Sequence, residues 1–212
     1  MTKTRLRTRS ASRVATATLI GSVLALWTPA CTTVELHPVE ISDQAVLLTV
    51  PTVPQDELYE CGLASVSALS EYYALPIGSA EASQLAAIAA RDEGLSGAEL
   101  RNALERAGFE VFIFPGTLDR EVSGIYSHVD HGRPLLVMIS VHDGSHHYAL
   151  VTGYDPLHEN VFLLDPRRGS IVLPALAFDA LWTKSNRFTL LAIPATAPQT
   201  APVTPPPPRA SP

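Results

Sequence analysis

The chain has 212 residues, 46% hydrophobic and 17% charged, with 18 prolines, 12 glycines and 2 cysteines. That length holds one domain of ordinary size with tails, and the composition excludes a collagen, a coiled coil, a polytopic membrane protein and a disulfide-stapled miniprotein. Net charge is −6, but Lys3, Arg5, Arg7, Arg9 and Arg13 lie in the first 31 residues with no acid, so the remainder is strongly acidic, which argues against nucleic acid or anionic lipid as a partner.

Residues 1–13 are basic and rich in Ser and Thr, and residues 14–27 (VATATLIGSVLALW) are apolar. A charged stretch followed by a short apolar stretch and small residues makes a secretory signal peptide. The apolar run falls short of the ~20 residues a spanning helix needs, and no adjacent arginine pair supports twin-arginine export. Thr28-Pro29-Ala30-Cys31 ends the segment. A cysteine there resembles a bacterial lipoprotein lipobox, with Cys31 as the lipidated first residue. Thr28 stands where Leu is usual, and the alternative is an ordinary signal cleaved near Ala30. Thr32, rather than Asp, follows the cysteine and resembles the outer-membrane sorting signal of a Gram-negative host. The expectation is an exported chain, lipid-anchored to the outer membrane and facing the periplasm.

Residues 32–49 read as a lead-in linker, residues 50–194 as the folded unit and residues 195–212 as a proline-rich tail. The tail offers few backbone donors and no apolar face, so it is expected to be disordered. Within the folded unit, Leu63, Val66, Leu69 and Tyr73 predict a helix over Gly62–Tyr73, with Cys61 at its N-terminus and Pro76 beyond its end. A second helix is predicted over Glu81–Asp92. Ser96-Gly97-Ala98-Glu99 matches a capping box, with Leu100, Leu104 and Ala107 as the stripe of a third helix that Gly108 stops. Short β-rich runs follow at Glu110–Phe114, Leu135–Val141, Tyr148–Tyr154, Val161–Leu164, Ser170–Leu173 and Phe188–Ile193. A short helix is predicted over Ala175–Trp182. Helices first and sequential strands afterwards define an α+β class.

Cys61 is the only cysteine of the folded unit. At a helix N-terminus the macrodipole favours a thiolate, and Gly62 leaves room for a substrate backbone. A lone core cysteine also reads as an inert small hydrophobe. Gln55, six residues earlier, offers an amide that can donate to an oxyanion beside the cysteine N–H. His147 opens one strand and Asp165-Pro166 closes the next. A hairpin near Leu157–Asn160 brings the aspartate beside the histidine, where it fixes the ring's tautomer. His142, Asp143, His146 and His147 cluster, but their spacing suits a turn before a strand rather than a tetrahedral metal site. No metal or other cofactor is expected, and no phosphate-loop motif offers an ATP site. Tyr72, Tyr73, Phe112 and Phe114 read as core. Arg167-Arg168 reads as a solvated turn, with a bound substrate carboxylate as the alternative.

Taken together, Gln55, Cys61-Gly62, Leu95-Ser96, Leu100, Gly108-Phe109, Pro134-Leu135-Leu136-Val137, His147-Tyr148, Asp165-Pro166, Phe178 and Leu181-Trp182 resemble the double-glycine leader peptidases in order and spacing. These are bacteriocin-processing cysteine peptidases of the papain clan, and the likeness spans residues 51–193. It implies a papain-like fold with helices before an antiparallel sheet. It implies Cys61 as nucleophile, His147 as base and acid, Asp165 as orienter and Gln55 as oxyanion donor. The implied partner is a polypeptide cut after small residues such as Gly or Ala. Family members are often the N-terminal domain of an ATP-driven exporter; here the signal peptide and the lack of transporter segments point to a stand-alone exported member, accessory to secretion or maturation. Two other readings stay open: a non-catalytic peptide-binding envelope lipoprotein, and a papain-fold amidase or acyl transferase.

Overall fold

Helices precede most of the strands in the chain, and the computed structural model, which describes residues 40–140 and 145–195, bears out the α+β order. A two-residue strand β1 (Val46–Leu47) is followed by α1 (Cys61–Tyr72), α2 (Ser79–Asp92) and α3 (Gly97–Arg106). Then come β2 (Phe109–Pro115), α4 (Ile125–Asp130), β3 (Leu135–Ser140), β4 (His146–Asp155), β5 (Asn160–Asp165), β6 (Gly169–Pro174), α5 (Ala175–Thr183) and β7 (Phe188–Pro194). The strands form one antiparallel sheet in the order β2-β7-β3-β4-β5-β6, with β1 added to β4.

The sheet is covered on both faces, which is why β3 and β4 read as near-continuous apolar runs rather than alternating ones. Successive side chains still point to opposite faces. Leu136, Leu150 and Leu190 enter a core with Val66, Leu69, Leu85, Leu100 and Leu104 of the first three helices. Leu135, Val137, Val151 and Leu191 enter a second core with Ile125, Val129, Phe178 and Trp182 of α4 and α5. α1 lies between the sheet and the other helices, so Gly62, Ala64, Ser65, Ala68 and Ser70 are buried along with Val66 and Leu69. Small side chains let it lie close to its neighbours, and Leu63 of the expected stripe is only partly buried. The capping box of α3 forms as expected: the Ser96 N–H donates to Glu99 Oε2 at 2.6 Å and the Glu99 N–H to Ser96 Oγ at 3.3 Å.

Two elements were not anticipated. α4 is only six residues long with no side-chain cap, too short for a periodic signal. β1 lies inside the expected lead-in, and its register sets Val46 against Tyr154 and Leu47 against Gly153. A Cβ on Gly153 would stand 2.4 Å from the Val46 carbonyl oxygen, so only glycine admits this approach. Just upstream, the Ser42 N–H and hydroxyl donate to the Asp155 carboxylate at 2.8 and 2.6 Å. The folded unit therefore begins before residue 50. At its other end the Ala195 N–H donates to the Gly108 carbonyl at 2.9 Å. The signal peptide, Cys31, residues 196–212, His142 and Asp143 lie outside the described residues. Among the described residues no helix is long and apolar enough to cross a membrane.

Candidate active site

Cys61 is the first residue of α1, and its burial is nearly complete. His147 is the second residue of β4, opposite Ile139 of β3, and Asp165 is the last of β5. The β4–β5 ladder pairs Leu150 with Leu164. Asp165 stands one residue beyond that couple and His147 three before Leu150, so alternation sends both side chains to the same face. His147 Nε2 lies 3.1 Å from Asp165 Oδ1. The ring N–H is not aimed along that line, so the contact joins opposite charges without a well-directed hydrogen bond. Looser hydrogen bonds of this kind are common in catalytic sites before substrate binds. The same carboxylate oxygen accepts the Arg167 N–H at 2.8 Å, an Asx turn that fixes the aspartate at the mouth of the β5–β6 hairpin. With Nε2 beside Asp165, the ring's Nδ1 is left to face the Cys61 thiol, whose acidity His147 and the Tyr148 and Gly62 N–H groups raise.

These contacts set the protonation states. Burial by itself would push the thiol up. The hydrogen bond to His147, the Tyr148 and Gly62 N–H groups and the charge on His147 outweigh it and bring Cys61 below its ordinary value. Burial likewise disfavours charge on His147, but its contacts with Asp165 and Cys61 push the ring up to about 9. Asp165 is held below the usual carboxylate range, since the His147 ring, the Arg167 N–H and the Arg168 charge offset its burial. All three shifts favour a thiolate–imidazolium–carboxylate chain.

Gln55 is engaged differently. Its Nε2 donates to the carbonyls of Glu57 at 2.7 Å and Leu58 at 3.1 Å, and its Oε1 is buried without a partner. Its backbone N–H donates to the Pro166 carbonyl at 3.2 Å, stitching the loop before Cys61 to the hairpin after Asp165. To reach an oxyanion, the amide must release one of its two carbonyls. Gly62 is closely packed. A Cβ there would meet Tyr148 Cδ2 at 3.2 Å and Leu100 Cδ2 at 3.3 Å. The position is therefore tightly packed between α1, α3 and β4, and a side chain there would push Tyr148 and Leu100 by a few tenths of an ångström.

An open cleft of about 840 Å³ runs past Cys61 and His147. The turn between α2 and α3, with Asp92 and Glu93, forms one wall; Leu58 and Tyr59, Arg167 and Phe188 complete it. His146 faces this cleft and is exposed. No group of three or more His, Cys, Asp or Glu residues close enough to hold a metal occurs among the described residues. Sequence reasoning missed the Tyr148 N–H on the sulfur, because a backbone donor leaves no trace in residue type.

Three helices leading into an antiparallel sheet, with a cysteine-bearing helix end facing a histidine-bearing strand, define a papain-like peptidase domain. Residues 49–194 match the model of the Peptidase C39 family, and the chain belongs to that family. By fold it is similar to a double-glycine-motif protease from an AMS/PCAT transporter, solved in complex with its leader peptide. The identity is 20% and the TM-score 0.54, over 70% of this chain and 94% of that one. It is also similar to the peptidase domain of Streptococcus ComA, a bifunctional ABC transporter of a quorum-sensing pathway. Here the identity is 17% and the TM-score 0.56, over 69% of this chain and 99% of that one. No curated protein matches by sequence.

Proposed function

We propose that this chain is a thiol peptidase of the double-glycine type that cleaves an exported polypeptide in the cell envelope, as an accessory to secretion or maturation. One observation carries the reading: His147 stands 3.1 Å from Asp165 and shares an open cleft with Cys61, whose thiol it lowers despite burial. The chemistry follows from that chain of contacts. The Cys61 thiolate adds to a peptide carbonyl carbon, and the carbonyl electrons move onto oxygen. That oxyanion is held by a backbone N–H at the start of α1 and by the Gln55 amide once it leaves the turn. The C–N bond breaks as His147 gives its proton to the departing amine. A water then loses a proton to His147 and releases the acyl group from sulfur.

The double-glycine-motif protease of similar fold was solved in complex with its leader peptide, which supports a polypeptide substrate here. The double-glycine likeness supports Gly or Ala before the cleaved bond. The basic and apolar stretches of residues 1–27, ending at Cys31, support export and a lipid anchor on the outer membrane facing the periplasm. Peptides carrying Gly-Gly or Gly-Ala before the cut site test the activity. Hydrolysis by the wild type that vanishes in Cys61→Ala is expected; undiminished hydrolysis in that variant would overturn the nucleophile. Metabolic labelling with a fatty acid tests the anchor. Label should be lost in Cys31→Ala, and equal labelling of both proteins would leave a soluble exported domain.

A further inference from the structure

We infer that Arg167 is a specificity residue that recognises a carboxylate on the leaving segment of the substrate, just after the cleaved bond. The inference rests on the catalytic reading above, because it uses the direction in which that chemistry runs. His147 delivers its proton to the leaving amine, so the leaving segment must pass the His147–Asp165 side of the cleft, while the acyl part stays on Cys61. Arg167 belongs to that side. It follows Asp165 by two residues, its N–H is bound to Asp165 Oδ1 at 2.8 Å, and its residue lines the cleft that holds Cys61 and His147.

Among the described residues lining this cleft, Arg167 is the only one with a permanent positive charge. No carboxylate among the described residues forms an ion pair with it. Arg91, Arg106, Arg120 and Arg187 each pair with an acid, whereas Arg101, Arg133 and Arg168, like Arg167, form no ion pair among the described residues; of these four, only Arg167 lines the cleft. A guanidinium fixed at its backbone and free at its head is suited to bidentate capture of a carboxylate. The cleft is also lined by Asp92, which is tied to Arg91, and by Glu93 and Glu99 from the end of α2 to the first turn of α3. Acidic side chains are therefore repelled beside those carboxylates and accepted beside Arg167, which gives the cleft a polarity for an extended peptide. Arg168 lies on the same hairpin but does not line the cleft, and it serves as the control.

Alkylation of Cys61 by iodoacetate, which carries a carboxylate, and by neutral iodoacetamide tests this on the full chain, with mass mapping to separate Cys61 from Cys31. The ratio of the two rates should fall about fivefold in Arg167→Ala and change little in Arg168→Ala. Equal ratios in wild type and Arg167→Ala, or equal falls in both variants, would overturn the assignment. The ratio can be read whatever the absolute rate at Cys61. A sluggish thiol would thus count against the catalytic reading, while the ratio still judges Arg167. In peptide hydrolysis, kcat/KM should favour Asp over Lys directly after the cleaved bond, and Arg167→Glu should reverse that preference. An unreversed preference would also overturn it.

Discussion

Among the described residues, two aspartate–histidine pairs flank strand β4, and one of them stands beside a thiol. Asp165 Oδ1 lies 3.1 Å from His147 Nε2 at the cleft end of β4, and Asp155 Oδ2 lies 2.9 Å from His158 Nδ1 beyond its other end. His147 and Asp155 are separated along β4 by roughly 26 Å at ~3.3 Å per residue. Both carboxylates are buried, and hydrogen bonds hold both below the usual range against that burial. Their other partners differ. Asp155 also accepts from the N–H groups of Ser42, Leu157 and His158 and from the Ser42 hydroxyl, fastening the start of the domain to the β4–β5 hairpin. Among the described residues, Asp165 accepts the Arg167 N–H besides its histidine contact, and that histidine lowers the Cys61 thiol. The carboxylate–imidazole pair at the cleft thus stands beside a thiol, while the pair at the far end fastens a hairpin and leaves its ring partly exposed.

The largest effect that sharpens this contrast is at His147. His147→Ala removes base and acid together, and peptide hydrolysis should fall about 10²–10⁴-fold. Gln55→Ala comes next, with turnover down about a hundredfold through loss of an oxyanion donor. Alkylation of Cys61 builds no oxyanion, so its rate should hold in this variant; a matching fall in alkylation would reduce Gln55 to a loop fastener. Asp155→Ala should act on stability alone. Melting should come roughly 5 °C lower, with Cys61 reactivity unchanged, and a loss of reactivity as large as that of His147→Ala would erase the distinction. A stability effect of similar size is expected at Gly153. Gly153→Ala forces a contact against Val46 that costs about 1–3 kcal/mol. It should appear first as faster hydrogen exchange at Leu48, whose N–H donates to the Thr152 carbonyl at 2.7 Å.

The same contrast explains what was legible in the sequence. His147 and Asp165 could be read because each stands beside a strand signal and the two strands are neighbours in the chain. The α3 capping box was equally local, and it formed as spelled out by Ser96 and Glu99. The Asp155 fastening could not be read, since Ser42 lies 113 residues away in sequence and Val46–Leu47 is too short to show a period. The packing of Tyr148 and Leu100 on Gly62, from β4 and α3, could not be read either. α2 begins at Ser79, two residues before its expected start, because Gly78 and Ser79 carry no strong helix signal of their own. Contacts made within one turn or one hairpin left marks in residue type, and contacts made across the sheet did not.

The central claim is a thiolate–imidazolium pair between Cys61 and His147, and the pH profile of Cys61 alkylation by iodoacetamide measures it directly. With the thiol lowered and the ring raised to about 9, both charges coexist between the two values. Reactivity in the wild type should therefore reach half its maximum below the ordinary thiol value of 9.0. His147→Ala removes a hydrogen bond and a positive charge from the sulfur, so its midpoint should move up. Hydrolysis, which needs the protonated ring, should decline as pH rises through about 9. A wild-type midpoint at or above 9.0, or one that His147→Ala leaves in place, would contradict the pair.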